Sequence, residues 1–93
     1  MNISKGKKQQ LAKALSGNLP MLRVKMGISQ SEIAEMVEVT RQTVSAFESG
    51  QREMPWHMFL AFMMIFTSNP ITKRLLEAME IYNDDFKQFI DLK

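Results

Sequence analysis

The stretch SQSEIAEMVEVTRQTVSAFESG, residues 29–50, decides the fold of this chain. Ser29 and Glu32 have the spacing of a capping box, in which the serine hydroxyl accepts from the backbone N–H of residue 32 and the glutamate accepts from that of residue 29. Thr40 is a second favoured N-cap residue. The stretch therefore predicts two short helices joined by a tight turn, the first beginning near Gln30 and the second directly after Thr40.

The second of these helices has a narrow apolar face. Only Val44 and Phe47 are bulky and apolar. The positions free to face outward are polar or small: Arg41, Gln42, Thr43, Ser45, Ala46 and Ser49. Arginine can donate two hydrogen bonds to guanine, glutamine can pair with adenine, and serine or threonine can bind phosphates. Because an α-helix fits the major groove, this polar face indicates contact with duplex DNA.

A longer segment carries a specific resemblance. LRVKMGISQSEIAEMVEVTRQTVSAFESGQR, residues 22–52, resembles the helix-turn-helix domain of the Cro and lambdoid-repressor type, the XRE-like family. The resemblance implies base contacts from Arg41, Gln42, Ser45 and Ala46. It implies DNA-phosphate contacts from Gln30, Thr40, Thr43, Gln51 and Arg52. It also implies a structural ion pair between Arg23 and Glu48, which would tie the preceding helix to the end of the recognition helix.

Two positions depart from the family pattern. Glu38 stands where the family usually has glycine in the turn, so a residue with a Cβ is expected to take the turn conformation with positive φ. Ala46 stands where many members carry a longer polar side chain, and its methyl group suits only a thymine methyl. Base reading is therefore expected to rest mainly on Arg41 and Gln42.

The rest of the chain also has helical periodicity, without strand-like alternation. The predicted fold is all-α, a compact lambda-repressor-like bundle of five to six short helices. A single domain over residues 1–93 would hold the helix-turn-helix core at about 20–66, a basic N-terminal helix at about 4–15 and C-terminal helices at about 70–92. Ser16-Gly17-Asn18 is expected to end the first helix, and Pro20 to begin the next.

Charge is distributed unevenly along the chain. Residues 1–27 carry six basic and no acidic side chains, although the net charge is only +2. A basic segment of this kind favours contact with a polyanion, although a solvated surface is the alternative interpretation.

Several classes of function are disfavoured by composition. One histidine and no cysteine cannot make a zinc site or a disulfide, so we expect no metal and no cofactor. No catalytic constellation is visible, and the adjacent Asp84 and Asp85 are better explained as anions at a helix start. We do not expect an enzyme. The 13-residue apolar run at 54–66 is too short to cross a bilayer, and the absence of a signal-peptide pattern favours the cytoplasm.

That apolar run also suggests self-association. Apolar residues fill nearly the whole circumference of 58–66, more than a small monomer is expected to cover. Phe59, Phe62, Met63 and Phe66 are therefore the predicted dimer interface.

Two functions fit these observations. The first is sequence-specific binding of double-stranded DNA by a transcriptional regulator, a repressor acting as a homodimer on an inverted-repeat operator. The alternative is an antitoxin or another protein-interaction module that uses the same helix-turn-helix fold. Salt-dependent binding to its own promoter would favour the first, and co-purification of a second protein chain would favour the alternative.

Overall fold

Six helices make up the regular structure of residues 3–91, the part of the chain that the computed structural model describes. They are α1 (Lys5–Met26), α2 (Gln30–Met36), α3 (Arg41–Ser49), α4 (Trp56–Thr67), α5 (Pro70–Ala78) and α6 (Asp84–Ile90). No strand occurs within those residues, and the Cα radius of gyration of 12.5 Å is close to the ~12 Å typical of a compact chain of this length. The predicted all-α bundle is confirmed.

The core holds the two motif helices in place. α1 packs against α3, α4 and α5, and α2 packs against α3. Phe47 of α3 meets Phe62 of α4 edge to face, with ring centroids 6.3 Å apart, the arrangement that aromatic rings prefer. Both rings are almost completely buried, so the inner edge of α3 is fixed and its other side is left outside the core.

The predicted break between two N-terminal helices is wrong. α1 continues from Lys5 to Met26 through Gly17 and Pro20, and ends at Gly27 with φ +70°. Its leucines explain why: Leu15, Leu19 and Leu22 lie on one face and are fully buried. Burial of each leucine side chain stabilises the fold by about 1.5–3 kcal/mol. The three together outweigh the ~3 kcal/mol that a proline in the helix interior costs.

The predicted dimer interface also needs correction. Phe59, Phe62, Met63 and Phe66 are at most 1% exposed within a single chain, so none of them is available to a partner. The other helices cover them; Phe86 of α6, for example, stacks edge to face on Phe59 at 5.6 Å. The exposed apolar side chain of α4 is Met64. Within residues 3–91, no helix combines the length and apolar character needed to span a membrane.

α5 is shorter than its sequence pattern predicts. The periodicity of ITKRLLEAMEIY, residues 71–82, predicts a helix that continues to Tyr82, but α5 ends at Ala78 because Glu80 adopts φ +59°. The N–H groups of Ile81 and Tyr82 both donate to the carbonyl of Leu76. This turn directs Ile81 into the core, where it is 1% exposed.

Candidate nucleic-acid interface

The N-terminus of α2 is fixed by the predicted capping box. The Ser29 hydroxyl accepts from the N–H of Glu32 at 3.0 Å, and the Ser29 N–H donates to the Glu32 carboxylate at 2.9 Å. The backbone N–H of Ser29 in the first place, and the Ser29 side chain in the second, stabilise the Glu32 carboxylate and lower the pKa of this group below its ordinary value. The cap sets where α2 begins, and hence where Gln30, its first residue, meets the surface.

The turn between α2 and α3 takes the conformation expected from the sequence. Glu38 has φ +59°, a left-handed conformation that costs a residue with a Cβ about 1–2 kcal/mol. The turn is held by a hydrogen bond from the Val39 N–H to the Ala34 carbonyl, 3.0 Å long. Ala34 is 3% exposed, and the small methyl group suits this tightly packed position.

α3 begins at the predicted cap and presents its polar side chains outward. The Thr40 hydroxyl accepts from the N–H of Thr43 at 3.2 Å. Val44 and Phe47 are buried, whereas Arg41 and Gln42 are exposed. The remaining predicted contacts on this helix, Thr43, Ser45 and Ala46, are half-buried. One helix thus carries all four predicted base-contacting residues, two of them exposed and two half-buried.

Arg23 and Glu48 form a bidentate ion pair that joins α1 to the end of α3. Arg23 Nε lies 2.6 Å from Glu48 Oε2, and Arg23 Nη2 lies 3.1 Å from Oε1. A third guanidinium nitrogen donates to the carbonyl of Ile28 at 3.2 Å. The two side chains are 14% and 8% exposed, so the pair is largely shielded from water and holds α3 at a defined angle.

The ion pair continues into a chain of hydrogen bonds that reaches Arg41, on the outer face of α3. Gln30 Nε2 donates to Glu48 Oε1 at 2.8 Å, and Arg41 Nη1 donates to Gln30 Oε1 at 3.1 Å. An amide nitrogen has two N–H groups, so Gln30 keeps one that could be offered to a phosphate. Sequence reasoning missed this connection, because the bond between Gln30 and Glu48 joins residues 18 positions apart.

The loop after α3 places two predicted phosphate contacts beside that surface. Gly50 turns the chain with φ +80°, and the N–H of Arg52 then donates to the carbonyl of Ala46 at 3.2 Å. The guanidinium of Arg52 lies over the Phe47 ring, 5.7 Å from its centroid. Gln51 and Arg52 are both exposed, so this loop borders the polar face of α3.

Two short helices with a tight turn, the second anchored by one apolar edge and polar elsewhere, define a helix-turn-helix, the DNA-binding fold of many transcriptional regulators. Residues 21–54 match a family model described as "Helix-turn-helix". They are therefore a helix-turn-helix of the Cro and lambdoid-repressor type, and the resemblance stated from the sequence is confirmed. Comparison of the chain with curated proteins and with solved structures found no match.

Proposed function

We propose that this protein is a sequence-specific double-stranded DNA-binding regulator of transcription, and that it acts as a repressor in the cytoplasm. The observation that carries the proposal is the exposed polar face of α3, anchored from behind by the Arg23–Glu48 ion pair. A face held this rigidly suits base reading, which requires side chains at defined positions in the groove. The repressor role rests on the likeness to Cro and the lambdoid repressors.

Each predicted contact takes a physical role in this proposal. Arg41 and Gln42, at the start of α3, would read base edges, as N-terminal residues of recognition helices do. Ser45 and Ala46 lie one turn further along and would touch the same groove. Contacts to DNA phosphates would come from Gln30, Thr40, Thr43, Gln51 and Arg52. Such contacts fix the register of α3 on the DNA but do not read its sequence.

The proposal includes a homodimer on an inverted repeat. One short helix reads only a few base pairs, and two-fold partners place two such helices about 34 Å apart, one turn of DNA. With the four core residues excluded, the contact would involve exposed apolar side chains of α4 and α5. Met64 is 77% and Ile71 is 58% exposed. The whole chain would act as one domain, because its buried residues from Ile3 to Phe86 form one cluster.

Selection of bound duplexes from a random DNA pool, at a stated salt concentration, tests the proposal. We expect enrichment of a motif with two related half-sites separated by about one helical turn. Enrichment of no motif would overturn sequence-specific binding. Co-purification of a second protein chain, without any DNA enrichment, would instead favour the interaction-module alternative.

A further inference from the structure

A groove of about 1050 Å³ lies between the N-terminal half of α1 and the segment that joins α3 to α4. Its charged lining is mainly basic: Lys5, Lys8, Lys13 and Arg52, against the single acid Glu53. Part of its surface is apolar, with Ala12, Met54 and Pro55 among the lining residues. A groove with this charge suits a polyanion, and its apolar parts suit the faces of sugar rings.

The lysines of α1 fall into two structural groups. Lys7 pairs with Asp85 at 3.0 Å, and Lys8 lies over the rings of Trp56 and Phe89, 5.3 and 5.5 Å from their centroids. These two lysines therefore attach α1 to α4 and α6. Their positive charges are already opposed by a carboxylate or by aromatic faces.

Lys5 and Lys13 differ from them. Both are exposed, and neither side chain forms an ion pair or hydrogen bond with any of the residues from 3 to 91. Together with Gln9 they follow the spacing i, i+4, i+8, which places them along one edge of α1. The edge is about 12 Å long, which corresponds to three or four phosphates of one strand when the length is measured along the DNA helix axis.

The wall of the groove opposite α1 includes residues of the loop after α3, which borders the outer face of that helix. Gly50 and Arg52 line the groove, and they belong to the loop that the proposed function places against the sugar-phosphate backbone. The same groove is lined by Lys5 and Lys13, so phosphates next to those that contact the loop would lie near these two lysines.

We infer that this groove binds the sugar-phosphate backbone of the same DNA, with Lys5 and Lys13 as phosphate contacts outside the helix-turn-helix segment. The inference rests on the proposed function. In this arrangement the basic N-terminal segment increases the affinity for DNA of any sequence, because phosphate contacts carry no direct sequence information.

The test compares the salt dependence of DNA binding for three proteins. These are the wild type, Lys5→Gln/Lys13→Gln, and the control Lys73→Gln/Lys87→Gln. The control removes the same charge from exposed lysines that contact Tyr82 and lie outside the groove. Each protein is titrated against a duplex from the selection and against a duplex of unrelated sequence, and circular dichroism verifies that each is helical.

We expect the groove variant to reduce the slope of log affinity against log salt by about 1.8 per bound protomer, or about 3.6 for a homodimer, on both duplexes, since each phosphate contact contributes about 0.9. The control should keep the wild-type slope. Equal slopes for the two variants, with the wild type still binding the selected duplex, would overturn the groove inference and leave the proposed function standing. A wild type that binds neither duplex would overturn both.

Discussion

Four side chains form a continuous polar connection from the protein interior to the outer face of α3. Arg23 binds Glu48, Glu48 accepts from Gln30, and Gln30 accepts from Arg41. The identities of these residues could be predicted from the sequence, because each sits at a recognisable position of the motif. The bonds between Glu48, Gln30 and Arg41 could not, because they depend on how α2 and α3 orient their side chains towards each other.

Replacing Glu48 with alanine is expected to destabilise the fold strongly. Arg23 would keep only the Ile28 carbonyl as an acceptor, and breaking a shielded ion pair by removing one partner costs about 3–5 kcal/mol. The double variant Arg23→Met/Glu48→Leu should lose much less, because no unpaired charge remains. Urea denaturation measures both, and a loss below about 1 kcal/mol for Glu48→Ala would contradict a structural role for the pair.

Helix boundaries were predictable wherever a local hydrogen bond sets them. Ser29 and Thr40, two N-caps predicted from the sequence, both cap their helices through their own side chains, and such bonds depend on a few neighbouring residues only. The continuous α1 was missed for the opposite reason. Its path through Pro20 is decided by leucines that pack against α3, α4 and α5, and tertiary burial of this kind overrides local propensity.

The turn of the motif supplies a prediction of its own. Glu38→Gly should raise the free energy of unfolding by roughly 0.5–1 kcal/mol, because glycine adopts positive φ without the steric cost of a Cβ but loses more backbone entropy. It should also strengthen DNA binding, since a carboxylate next to the recognition helix repels phosphate. Thermal unfolding and duplex titration measure the two effects.

Glu80 provides the matched control for that turn. It has the same φ of +59° but lies beyond α5, away from the motif. Glu80→Gly should therefore stabilise the protein to a similar extent without changing its affinity for DNA. Equal gains in affinity from both glycine variants would show that the effect is one of net charge and not of position.

At the scale of the whole molecule, the sequence correctly indicates that α4 is apolar on nearly every side, but the prediction that its buried apolar residues form a dimer interface is wrong. A helix that is apolar on nearly every side must be covered, but its sequence does not say by what. The chain covers Phe59, Phe62, Met63 and Phe66 with its own helices, and leaves Met64 77% exposed. Long-range packing of this kind has no local signature, so self-association stays a prediction with a new candidate surface.

Met64→Glu is expected to weaken the homodimer, because a buried, unpaired carboxylate at an interface is strongly unfavourable. Sedimentation equilibrium at micromolar concentration should give a dimeric wild type and a variant shifted towards monomer, with an unchanged circular dichroism spectrum. Val24→Glu is the control, since Val24 is 72% exposed on α1. A wild type that is monomeric both free and on selected DNA would rule out the dimer.

The central claim is that α3 reads DNA sequence, and the most direct measurement is the affinity of wild type and Arg41→Ala for a selected duplex and for its scrambled counterpart at one salt concentration. We predict that the wild type prefers the selected duplex by about 10³-fold or more. Arg41→Ala should lose roughly 5- to 150-fold on that duplex, equivalent to about 1–3 kcal/mol, and change little on the scrambled one. Equal affinity of the wild type for both duplexes, or an equal loss on both from Arg41→Ala, would contradict sequence reading by this helix.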